Sequence, residues 1–120
     1  MATAFIVGRI IVGVYFLMNA YNHIVKSSHM VGYAASKNVP SPRLAIIGSG
    51  ILLLLGGLSI LLWVFPVIGI LCLILFLVPV TLMMHNFWKE TDPMARMSAK
   101  IEFMKNAALV GLLLIILSTL

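Results

Sequence analysis

From Leu44 to Met84 the chain contains no Asp, Glu, Lys, Arg or His, and Pro66 stands near the middle of that run. A helix rises about 1.5 Å per residue, so crossing a hydrocarbon core about 30 Å thick takes about 20 apolar residues. The run is too long for one crossing and suits two. One apolar stretch precedes it and another follows. Backbone amides inside a bilayer must find their partners within the chain, which makes helices the expected solution. The sequence therefore predicts an all-α integral membrane protein.

Composition supports this reading. Hydrophobic residues form 62% and charged residues 9% of the 120, against about 25% charged in soluble domains. The net charge of +5 does not point to nucleic acid, because the basic residues are spread over connections and helix ends rather than gathered in a run. They fit topology signals and anionic head groups instead. Cys72 is the single cysteine, which excludes an internal disulfide and Cys-x-x-Cys chemistry. The stretch before Arg9 carries no lysine or arginine, and the first apolar run is too long for a cleaved leader, so it reads as a retained helix.

Four spans are expected, at about 4–25, 44–64, 66–86 and 99–119, as one transmembrane domain. Pro66 suits the first turn of the third, while Pro79 inside it predicts a kink. Trp63-Val64-Phe65-Pro66 forms a tight hairpin between the second and third spans. Between the first and second, the stretch from His29 to Lys37 reads as a short interfacial helix, with Asn38 as a left-handed cap and Pro40 and Pro42 preventing continuation. Asp92 is expected to cap the helix that Pro93 begins. The architecture expected is an antiparallel four-helix bundle. Lys26, Lys37, Arg43, Lys89, Arg96 and Lys100 fall in the two long connections. The positive-inside rule then places those connections in the cytoplasm and both termini outside a plasma (inner) membrane.

Lipid gives helices no hydrophobic reason to associate, so small residues that permit close approach matter more. Ala45, Ser49, Gly56 and Ser59 form such a stripe, with Gly48, Gly50 and Gly57 nearby; Gly13, Ala20, Ala107 and Gly111 offer further positions. The stripes fit a bundle and equally a dimer face.

Functional candidates are the polar residues within the spans. Tyr15, Asn19, Asn22, His23 and Lys26 share one face of the first helix at helical spacing. Thr81, His85 and Trp88 repeat that spacing on the third, with Asn86 beside them, and Glu102, Lys105 and Asn106 do so on the fourth. All lie toward the long-connection side and would converge in a bundle. Glu102 is expected to pair with Lys105. Imidazole, amide and indole groups at the membrane edge suit a quinone head group whose tail stays in lipid. The competing reading makes them interfacial anchors, caps and interhelical hydrogen bonds. No catalytic residue is assigned. No intrinsic cofactor is expected, and no metal, because HxxxH and Cys/His spacings are absent. A haem would need His23 and His85 to face each other.

Gly8-Arg9 with Gly13 and Phe16, Gly32-Tyr33, Val39-Pro40-Ser41-Pro42, Leu55-Gly56-Gly57, His85-Asn86-Phe87-Trp88 and Phe103-Met104-Lys105-Asn106-Ala107-Ala108 together resemble the DoxX family along the whole chain. Asn19-Ala20-Tyr21-Asn22-His23 stands where family members often have Gly and a Lys, and Asn38 where a Gly is common. The resemblance implies a four-helix bundle linked to quinol oxidase or thiosulfate:quinone oxidoreductase complexes. It suggests a quinone-linked accessory with a partner subunit or a second copy of the chain. A non-catalytic anchor or assembly scaffold for a partner oxidoreductase is the alternative.

Overall fold

Three of the long helices begin at a proline, whose fixed φ and missing N–H suit only a first turn. In the computed structural model, which describes residues 2–120, the helices are α1 (Ala2–Val25), α2 (Ser27–Ser36), α3 (Pro42–Leu62), α4 (Pro66–Met84) and α5 (Pro93–Ser118). A single 3-10 turn, Phe87–Lys89, separates α4 from α5, and no strand occurs among the described residues. The helices α1, α3, α4 and α5 are each long and apolar enough to cross a membrane. At about 1.5 Å per residue they measure about 29 to 39 Å. Large side chains such as Ile11, Leu55, Leu75 and Ile115 stand exposed on all four, as lipid-facing residues must.

The chain divides into two units, Met1–Leu73 and Ile74–Leu120. In the first, α1 and α3 run antiparallel in close contact. A Cβ on Gly13 would lie 2.7 Å from Leu61 Cβ and 3.0 Å from its Cα, and one on Gly57 would lie 3.2 Å from the Leu17 backbone nitrogen. Each glycine thus admits the backbone of the other helix, a close approach of the kind that holds membrane helices together. Gly13, Phe16, Ala20 and His23 form the buried stripe of α1. Ile46, Leu53 and Ile60 of α3 and Ile70 and Leu73 of α4 are buried as well. Gly48 and Gly111 meet nothing within 4 Å and Ala107 is exposed, so the small residues expected to mediate packing divide into used and unused.

The ends of these helices follow from local chemistry. Helix α2 ends in a Schellman closure: Val39 N–H donates to Ala34 O and Asn38 N–H to Ala35 O, with Asn38 at φ 60°. This is the left-handed cap expected of Asn38. At the α3–α4 hairpin the same closure, Val64 N–H to Ser59 O, puts Trp63 at φ 56°, and Phe65 follows at φ 48°. Bulky residues are disfavoured there by about 1–2 kcal/mol each. The Ser59 hydroxyl holds the turn by donating to Val64 O at 2.6 Å, with Phe65 O at 3.0 Å. A Cβ at Gly69 would collide with Ser59 Oγ, so α4 leaves the hairpin tight against α3.

In the second unit the Asp92 carboxylate accepts from Ala95 N–H at 2.9 Å, as expected of a cap, with Pro93 beginning the helix. Helix α5 therefore starts before the expected span, and Arg96 and Lys100 lie on its first turns. Helix α4 stays helical through Pro79 but stops at Met84, short of the expected 86. His85 and Asn86 are outside it. The helical spacing assigned to Thr81, His85 and Trp88 consequently does not hold. Phe87 N–H turns back to His85 O and Lys89 N–H to Asn86 O, which releases Phe87 and Trp88 to pack on α5.

Candidate functional site

His23 is the most buried ionisable side chain of the first unit, 7% exposed, in the last turn of α1. It reaches that position because α3 presents Gly50 opposite: a Cβ there would lie 3.0 Å from His23 Cβ and 2.8 Å from Ile24 Cγ1. His23 Nδ1 lies 2.9 Å from Ser49 Oγ and 3.4 Å from Ile46 O, and Ser49 Oγ donates to Ile46 O at 2.8 Å. With the serine proton directed to the carbonyl, Nδ1 is placed to donate to Ser49 Oγ. A lone pair on Nδ1 would also face the Ile46 carbonyl oxygen unfavourably. This arrangement suits the Nδ1–H tautomer of the imidazole.

Its neighbours on α1 divide. Asn19 is half-buried, and its amide donates to Tyr15 O at 2.8 Å, a local bond within the helix. Asn22 is half-buried and its carbonyl accepts from Lys26 N–H. Lys26 is exposed, with its ammonium 5.9 Å from the Tyr21 ring centroid. The face turned to α3 is the Gly13–His23 stripe, so of the polar set named on α1 only His23 lies on it.

In the second unit, Asn86 and Asn106 are buried at 7% and 6%, and Thr81 is buried with its hydroxyl on Leu77 O. His85 is half-buried. Lys105 and Glu102 form the expected ion pair at 2.7 Å, with both side chains more than 40% exposed. They neutralise each other on the surface of α5, while Asn106 points inward. Phe87, Trp88 and Phe103 make a triad of edge-on contacts with centroids 5.4–5.7 Å apart. The cations of Arg96 and Lys100 lie 5.8 and 5.9 Å from the Phe87 ring centroid. That cluster was not foreseen, although Phe87 and Phe103 both stand in segments the sequence had marked. Among the described residues no three His, Cys, Asp or Glu side chains gather as a metal site.

The family model for DoxX matches residues 4–86, from the first turns of α1 to the end of α4. This chain belongs to the DoxX family. The match takes in the His23–Ser49 pair and the α3–α4 hairpin and covers the first three of the four spans. No curated protein and no solved structure matches this DoxX chain.

Proposed function

We propose that this DoxX-family protein is an accessory subunit of a quinone-linked membrane oxidoreductase, of the quinol oxidase or thiosulfate:quinone oxidoreductase type. His23 is the group that meets the head group. One observation carries the reading: a histidine 7% exposed inside an apolar helix, its Nδ1 tied to Ser49. Ionisable groups at membrane depth cost several kcal/mol unless they are engaged, and they mark functional sites. An imidazole is a group of the kind that exchanges a hydrogen bond or proton with a quinol hydroxyl. In the other unit the buried amides of Asn86 and Asn106, with His85 and Trp88 alongside, offer donors of the kind a quinone carbonyl accepts. The electrons go to a carrier on a partner subunit, since the sequence has no nucleotide loop or cysteine pair.

The test is purification from native membranes in mild detergent, counting extracted quinone per chain and identifying the proteins that accompany it. The expected result is bound quinone in the unaltered protein and roughly tenfold less in His23→Ala at unchanged helicity. Full retention by His23→Ala overturns the reading. A second reading, a scaffold that holds a soluble partner, is favoured by the exposed cations Lys89, Arg96 and Lys100 at the start of α5. There His85→Ala leaves turnover intact, and removing the chain releases the partner from the membrane.

A further inference from the structure

Arg9 lies inside the apolar span of α1, two turns from its first residue and at the opposite end from His23. Helical Cα–Cβ bonds tilt toward the N-terminus, so its side chain climbs toward the nearer membrane face. It ends with Cζ 5.2 Å from the Phe5 ring centroid. Phe5 in turn meets Trp63 edge-on at 4.7 Å, which joins the start of α1 to the α3–α4 hairpin. Arg9 Nη2 makes one long bond, 3.4 Å, to Leu61 O in the last turn of α3. Its Nε is buried and has no hydrogen-bond partner among the described residues. No Asp or Glu precedes Glu90 in the sequence, so the unit that holds Arg9 contains no carboxylate side chain to neutralise it. A guanidinium presents five N–H donors in a planar fork that fits an oxyanion.

We propose that Arg9, with Phe5 and Trp63, binds the phosphate of an anionic phospholipid at the membrane face of the α3–α4 hairpin. About seven residues of helix put the Arg9 Cα about 10 Å below the start of α1, and the arginine stem spans much of that depth. The guanidinium then sits at the level of lipid phosphates, and Trp63 has the amphipathic ring that favours this boundary. A lipid is the occupant that the apolar surroundings select. Phe5 is exposed, as are Ile6 and Val64, and they provide contact for acyl chains beside the charge.

The full chain carrying Trp88→Phe, in which Trp63 is the sole tryptophan, is titrated in neutral-detergent micelles with short-chain phosphatidylglycerol. Inorganic phosphate is titrated in a parallel arm. The expected result is a saturable change in Trp63 emission with the lipid alone, weakened roughly tenfold in Arg9→Gln. Arg9→Lys falls between the two, keeping the charge and losing the fork, and Lys37→Gln behaves as the parent. Thermal unfolding of each variant separates binding from a purely structural role. If Arg9→Gln lowers the melting temperature while leaving the lipid titration unchanged, Arg9 only caps α3 and the proposal fails. It fails equally if inorganic phosphate reproduces the lipid response. Should Arg9→Gln not fold, an Arg9→Lys titration identical to the parent's overturns it.

Discussion

A methyl group distinguishes the glycines of this protein more sharply than their sequence contexts do. At Gly13 the added Cβ meets the Cβ, Cα and backbone nitrogen of Leu61, none of which can rotate away. Overpacking of that kind costs about 1–3 kcal/mol. Gly48 and Gly111 have nothing within 4 Å, and alanine there gains about 0.5–1 kcal/mol of helix propensity. Thermal unfolding in detergent should therefore show Gly13→Ala melting below the unaltered protein, and Gly48→Ala and Gly111→Ala melting at or above it. Equal midpoints for Gly13→Ala and Gly48→Ala would mean that α1 and α3 do not touch at Leu61. Sequence marked all three glycines alike, because small size is visible in a sequence and the opposing backbone is not.

At the scale of the element, helix ends were the most legible feature. Asn38 and Asp92 act through bonds to residues a few positions away, and Pro66 and Pro93 through their own fixed φ and missing N–H, so their roles could be derived before any tertiary contact was known. Asp92→Ala removes the bond to Ala95 N–H and should cost about 1 kcal/mol, read as faster amide exchange over the first turn of α5. Unchanged exchange there would show that water caps α5 as well as Asp92 does. The end of α4 was misjudged for the complementary reason. Apolar and polar spacing continues past Met84, but Phe87 and Trp88 pack on Phe103, which lies on another helix, and the chain leaves helical geometry to let them do so. Trp63 and Phe65 at positive φ are a similar case. Neither residue type favours that region, and the Ser59 hydroxyl together with the close passage at Gly69 imposes it.

For the whole molecule, the chain has four candidate crossings, and Lys26, Lys37, Arg43, Lys89, Arg96 and Lys100 all fall in or beside the two long connections, which alternating crossings would bring to one side of a bilayer. That asymmetry predicts a cytoplasmic location for this face, so a reporter fused after Leu120 should work only on the other side of the membrane. Activity of that fusion in the cytoplasm would reverse the orientation, and with it the side on which the Arg9 site lies. The apolar runs and the charges that bound them determined by themselves that the chain is helical and has four segments able to cross a membrane. These outcomes depend on length, hydration and local hydrogen bonds. The use of each polar residue was decided by tertiary structure. His23 acquired a buried hydrogen-bond partner because Ser49 and Gly50 stand opposite it on α3, while Asn19 turned back to its own helix. Spacing along one helix selects a face, but the partner of a buried side chain depends on the neighbouring helix and its register.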